Sequence, residues 1–157
     1  MKIKLGLLLF TLCAAALAQG TSGYVFVAPG GLTVAGHTVG TLQLGGGVDA
    51  VFWKGLGVGA ELSAIGPTKS WSDVVGMFSP NGTYHFVHER DQKVDPFVTA
   101  GYTLLFRSGH ANLVNFGAGL NYWFRDHAGL RVEFRDHVYT RGATLHYWGV
   151  RLGLSFR

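Results

Sequence analysis

The chain has 157 residues, a one-domain length, with 13% aromatic residues, 24 glycines and only 14% charged residues, where soluble domains carry roughly a quarter. Its formal charge of +4 includes Lys2 and Lys4 of an N-terminal segment read as cleaved. No Lys/Arg cluster remains to track a phosphate backbone, so nucleic-acid binding is not expected. No apolar run beyond the N-terminus reaches the roughly 20 residues of a membrane-spanning helix.

Residues 1–18 read as an export signal. Lys2 and Lys4 supply the positive n-region, Leu5–Leu12 (LGLLLFTL) opens the apolar h-region, and Ala16-Leu17-Ala18 gives the small-x-small cleavage pattern before Gln19. Cys13, the only cysteine, leaves with that segment, so disulfides, thiol catalysis and cysteine metal sites leave with it.

Residues 19–157 then form one domain of alternating character. Period-2 alternation predicts strands over Gly23–Ala28, Leu42–Trp53, Leu56–Ile65, Val74–Val87, Val94–Phe106, Leu113–Phe124, Gly129–Val138 and Tyr147–Phe156. Most span 10 to 14 residues, longer than the globular mean and enough for a tilted strand to cross a bilayer. The connections Lys54-Gly55, His88–Lys93 and Arg125–Ala128 are short, while Pro29–Thr41, Gly66–Ser72, Arg107–Asn112 and Tyr139–His146 are longer. That alternation is the one expected of an outer-membrane barrel with periplasmic turns and outer loops. Within the fourth strand, Pro80-Asn81-Gly82 reads as a bulge or bend, because a turn there leaves two strands too short to span.

The two faces of these strands differ sharply. In the seventh, Leu130, Val132, Phe134 and Val138 share one face, while Arg131, Glu133, Arg135 and His137 share the other. In the last, Trp148, Val150, Leu152, Leu154 and Phe156 oppose Gly149, Arg151, Gly153 and Ser155. A soluble lipocalin-like barrel would turn the apolar set inward and expose rows of glycine, a poor surface for solubility. The inverted arrangement is preferred. An eight-stranded barrel has an interior only wide enough for side chains, and glycines such as Gly57, Gly59, Gly117 and Gly119 leave room for long polar ones.

In-strand charges fall on the glycine-bearing face: Asp49, Glu61, Asp95 and Glu133 against Arg107, Arg131, Arg135 and Arg151. Facing lipid, an arginine costs roughly 2–4 kcal/mol at the midplane; facing inward, these residues pair, which predicts a lumen ion network. Asp136 is the one exception, near the outer end of its strand. Aromatic residues gather at strand ends (Phe52, Trp53, Phe86, Phe106, Tyr122, Trp123, Phe124, Tyr139, Tyr147, Trp148, Phe156), where interfacial girdles belong.

The strand Trp148-Gly149-Val150-Arg151-Leu152-Gly153-Leu154-Ser155-Phe156 resembles the terminal signal read by the bacterial barrel-assembly machinery, an alternating apolar strand ending in an aromatic residue, here followed by Arg157. The mature chain is similar in layout to the small outer-membrane protein A and X (OmpA/OmpX-like) barrels. The resemblance implies an all-β, closed, antiparallel up-and-down transmembrane barrel of about eight strands. It also implies outer-membrane residence, assembly by that machinery, and Trp148, Val150, Leu152, Leu154 and Phe156 as the assembly signal.

Catalytic chemistry finds little support. Outer-membrane lipid A deacylases use a His-x-Ser pair on one strand, and none of the seven histidines is followed two residues later by Ser. Ser108-Gly109-His110 and the neighbours His137 and Glu133 are the nearest assemblies, and neither spacing alone delivers a triad. His85 and His88 point to opposite strand faces, so no metal site is expected, and no cofactor. Lys69, Arg107, His110 and Arg141 fall in or beside the outer loops and are candidate contacts to lipopolysaccharide phosphates, ordinary solvated charge being the simpler reading. The expectation is a monomeric, non-enzymatic envelope protein with a structural or surface-interaction role and a filled lumen. The alternatives are a lipid-modifying enzyme, a narrow gated pore and a soluble lipocalin-like binder.

Overall fold

The computed structural model describes residues 20–69, 73–87, 92–107, 109–139 and 144–157. Residues 1–18, assigned to the export signal, lie outside them. Eight strands follow in chain order: β1 (Gly20–Val34), β2 (His37–Trp53), β3 (Leu56–Pro67), β4 (Val75–His85), β5 (Val94–Phe106), β6 (His110–Arg125), β7 (Ala128–Tyr139) and β8 (Leu145–Phe156). Each pairs antiparallel with its sequence neighbours, and β8 returns to pair with β1. The sheet closes on itself and leaves no edge. An even strand count puts both termini at one end, with the Lys54-Gly55 and Asp126-His127 turns; this is the terminal end, and the opposite one is the loop end.

Lys54-Gly55 is a two-residue hairpin turn with positive φ at both positions (42° and 85°), the geometry whose twist matches that of the flanking strands. A second such turn, at Ala35-Gly36 (48° and 83°), corrects the sequence reading of the loop end. Pro29–Thr41 is not a long loop. β1 runs on through Pro29-Gly30-Gly31 to Val34, and β2 begins at His37, in unbroken register from Gly20↔Val51 to Val34↔His37. The first strand is therefore 15 residues long, not the short Gly23–Ala28 segment. Proline there removes one donor without ending the strand, because the rest of the backbone is paired to β2 and, on either side of Pro29, to β8.

Pro80-Asn81-Gly82 is neither turn nor bulge. Its register to β3 is continuous (Pro80↔Ala60, Asn81↔Gly59, Gly82↔Val58), and toward β5 the pairing skips Ser79 and Pro80 and resumes without a shift. The Asn81 amide donates to the Ser79 carbonyl at 3.2 Å across the gap. Pro80 itself is exposed on the outer surface.

The outward face is apolar. Val132, Phe134, Val150, Leu152, Leu154, Leu120 and Val58 are all 40–50% exposed on the barrel exterior. Their inward neighbours Arg131, Glu133, Arg135 and Arg151 are only 1–2% exposed. This orientation overturns the lipocalin-like alternative, which needs the apolar row inside. Phe52, Trp53, Phe86, Tyr122, Phe124 and Phe156 ring the terminal end, with Phe106 and Trp148 toward the loop end. Trp123 is corrected: it points inward and is buried, with the Arg157 guanidinium 4.2 Å from its ring centroid.

Candidate functional site

The lumen is packed with polar side chains carried by the inward positions of the strands. At its centre three arginines meet three carboxylates. Glu133 accepts hydrogen bonds from Arg131 Nε at 3.1 Å and Arg135 Nε at 2.5 Å, and Arg135 Nη2 also pairs with it. Arg151 donates to both oxygens of Glu61, from Nη1 at 2.5 Å and from Nη2 at 2.9 Å. Arg131 reaches across to Asp49 at 3.2 Å, 82 residues away in sequence. Arg135 Nη1 lies 3.9 Å from Glu61, and Arg151 Nη1 lies 3.7 Å from Glu133, so the pairs form one network. Three positive and three negative groups sum to zero, as burial demands.

Aromatic and small residues shape this cluster. The Arg131 guanidinium sits between two rings, 4.1 Å from Tyr24 and 4.0 Å from Phe97, which compensates a flat cation with two π faces. Arg151 lies 4.3 Å from Phe26, and the Tyr24 hydroxyl donates to Glu61 at 3.2 Å. Gly117 shows why the wall is glycine-rich. A Cβ there would lie 2.6 Å from the Phe134 carbonyl oxygen and 3.2 Å from both Arg135 Nε and Glu133 Oε1, in space the ion network occupies.

Layers of further polar groups flank this cluster. Toward the loop end, Thr103 bonds to Ser79 (2.8 Å), Asn115 (2.9 Å) and His137 Nδ1 (2.9 Å), and Gln43 donates to Ser63 (2.8 Å). Beyond them the buried apolar side chains Ile65, Met77 and Leu113 point inward. Toward the terminal end, His85 Nδ1 lies 2.8 Å from Asp95, which also accepts from Asn121 at 3.1 Å, and Asn121 in turn accepts from Ser155 at 3.0 Å.

Six of the eight residues assigned to the lumen network thus come together: Asp49, Glu61, Arg131, Glu133, Arg135 and Arg151. Asp95 lies apart, in the His85 layer. Arg107 does not enter the lumen; it is exposed beyond β5, paired with Asp73 at 3.2 Å. Of the candidate lipopolysaccharide contacts, Lys69 and His110 are exposed at the loop end with Arg107, and Arg141 lies outside the described residues. Sequence reasoning missed the His85–Asp95 pair, although the alternation of β4 places His85 on the same face as Ser79, Asn81 and Thr83. It accounted for Asp136 only by its place near the outer end of the strand and missed its partner: Asp136 Oδ2 lies 2.8 Å from His146 Nδ1 on β8.

No catalytic triad forms among the described residues. Neither His85 nor His146, each held by a carboxylate, bonds a hydroxyl through its other nitrogen. His137 bonds Thr103 and lies 3.4 Å from Arg151 Nη2, with no carboxylate on it. No group of three or more metal-ligating side chains occurs among them either.

A closed eight-stranded barrel with an apolar exterior and a charged, filled interior is the architecture of small outer-membrane barrels. Comparison with solved structures gives the same fold. The crystal structure of Neisserial surface protein A matches with a TM-score of 0.69 at 12% identity, covering 88% of this chain and 97% of that one. The N-terminal β-barrel domain of Pseudomonas aeruginosa OprF matches with a TM-score of 0.58 at 15% identity, covering 85% and 96%. A transmembrane β-barrel designed de novo matches at 0.57 and 16% identity, covering 86% and 93%. At these identities the likeness is one of fold alone. No family model and no curated protein sequence matches the chain.

Proposed function

We propose that this chain is an integral outer-membrane barrel with a closed lumen and a structural or surface-interaction role in the cell envelope, exported through the N-terminal signal of residues 1–18. The observation that carries the reading is the inversion of polarity: an apolar exterior around a neutralised set of six buried charges. In water that exterior is an aggregation surface; in a bilayer it is the required one. The terminal end then faces the periplasm and the loop end the outside. Lys69, Arg107 and His110, exposed at the loop end, are our candidate contacts to lipopolysaccharide phosphates, together with Arg141, which lies outside the described residues. β8, from Trp148 to Phe156, is the strand offered to the assembly machinery. It closes on β1, a step that fits its being the last to pair.

The test is expression in a Gram-negative host, membrane fractionation, and gel mobility with and without boiling. An outer-membrane product whose mobility changes on heating supports the reading. A freely soluble product without that change refutes it. Removing the charges of Lys69, Arg107, His110 and Arg141 without changing salt-sensitive lipopolysaccharide binding would dismiss the contact role.

One observation favours a second reading, the narrow gated pore. Glu133 is a single carboxylate shared by three arginines, and the gate reading has these pairs rearrange to open the axis. Glu133→Gln should then raise single-channel conductance in planar bilayers, and silent traces from wild type and variant alike dismiss the gate. The apolar residues Ile65, Met77 and Leu113 at one end and Trp123 at the other favour the closed reading.

A further inference from the structure

On the loop-end side of the six charges, the lumen holds a cavity with room for about one water-sized species. Its walls come from β1, β2, β3, β7 and β8. Arg135, His137 and Arg151 line it, with Thr41 and Gln43 from β2. No carboxylate does: Glu61 and Glu133 bond these two arginines from outside the cavity. Thr41 is 5% exposed, and its hydroxyl has no hydrogen-bond partner among the described residues. Unlike the sealed hydroxyls of Thr83 and Thr99, Thr41 stands on open space. Two guanidiniums and a free hydroxyl together present donors to that space.

His137 is the lining residue whose side chain can change charge near neutral pH. Its Nδ1 lies 2.9 Å from Thr103 Oγ1, and its Nε2 lies 3.4 Å from Arg151 Nη2. A guanidinium only donates, so Nε2 is the acceptor there and the ring hydrogen sits on Nδ1. The other inward groups beside the ring are its strand partners, Asn115 of β6 and Tyr147 of β8, and Arg135 two residues back on β7. None of them is an anion. A second ring proton would sit on Nε2, where Arg151 cannot accept from it. An anion in the cavity can.

The neighbouring charge set is neutral, so an anion alone leaves the lumen with a net negative charge, and a proton alone leaves a positive one. Together they cancel, as burial demands. We infer that this cavity is a binding site for one small monovalent anion of halide size, taken up together with a proton on His137. The two uptakes are linked and reciprocal. Anion affinity therefore rises as the pH falls through the ordinary imidazole range, about 6.5. The site lies inside the barrel, so it is independent of the loop charges and of the envelope role proposed above.

The experiment follows thermal unfolding of the purified barrel in detergent micelles by tryptophan fluorescence. Sodium chloride is compared with sodium gluconate, whose anion is too large for the cavity, at equal ionic strength. At about pH 5 chloride should raise the wild-type midpoint by about 2–4 °C over gluconate, and at about pH 8 the two should coincide. His85 and His146 are paired with Asp95 and Asp136 outside the cavity, and comparing salts at one pH cancels their contribution. Thr41→Val, which removes the free donor, should abolish most of the chloride effect. His137→Asn, whose amide takes no proton, should do the same, while Gly82→Ala on the outer surface should retain it. Equal midpoints in the two salts at the lower pH, or an equal chloride effect at both pH values, overturns the inference while the barrel reading stands. So does a chloride effect that survives undiminished in Thr41→Val or in His137→Asn. Should the asparagine variant fold poorly, Thr41→Val decides alone.

Discussion

Replacing Glu133 by glutamine keeps the shape of the side chain and removes one charge from a neutral set of six. Arg131 and Arg135 lose the anion they bond at 3.1 and 2.5 Å, and Arg151 loses one at 3.7 Å. At an effective dielectric of about 20, a unit pair at such distances is worth about 4.5–6.6 kcal/mol before desolvation. The variant also spares the burial of one carboxylate, and breaking a buried pair in this way typically leaves a net loss of about 3–5 kcal/mol. With a urea slope of about 2 kcal/mol/M, the unfolding midpoint of the barrel in vesicles should fall by about 2 M. Tryptophan fluorescence follows the transition. Arg135→Gln added to Glu133→Gln restores neutrality, so the double variant should recover at least about 1 kcal/mol relative to additivity. A midpoint shift below about 0.5 M at unchanged slope, or strict additivity in the pair, refutes the reasoning that this network is held by mutual neutralisation.

Four further variants test the geometry. Gly117→Val places a branched side chain into the Phe134 carbonyl and the Glu133–Arg135 contact and should destabilise by more than about 2 kcal/mol. Gly82→Ala, whose Cβ meets only the Ala100 carbonyl oxygen at 3.7 Å on the outer surface, should stay within about 0.5 kcal/mol; both are read from the heating temperature at which gel mobility changes. Val132→Arg puts a guanidinium on the lipid face near mid-strand and should cost about 2–4 kcal/mol in vesicle unfolding, so a neutral result would mean that this face is not in lipid. Gly55→Val, at φ 85°, strains the turn closing β2 and β3 and should slow barrel formation in a refolding time course.

The alternation of β6, β7 and β8 was legible because a period-2 pattern reports which residues share a face whatever the strand pairs with. The placement of Arg131, Glu133, Arg135 and Arg151 on one side followed from it, and the turn at Lys54-Gly55 was legible from Gly55, which suits the positive φ it adopts. Strand ends at the loop end were less legible. Pro29-Gly30-Gly31 and Asn81-Gly82 carry turn residues, but the flanking backbone is paired on both sides, and those hydrogen bonds outweigh local preference. Arg107 shared the charge type of the lumen residues and lies just past the end of its strand, where solvent and Asp73 are within reach.

The sequence by itself determined two chemically opposite faces, the approximate number of strands and the short turns at the terminal end, because those are local properties of spacing and residue type. Only the tertiary structure decided which charges meet. Arg131 finds Asp49 across 82 residues, Arg151 finds Glu61 across 90, and Asp136 finds His146 from the neighbouring strand. These partners are fixed by register and by the closure of β8 on β1, and closure is a property of the whole sheet that no local segment encodes.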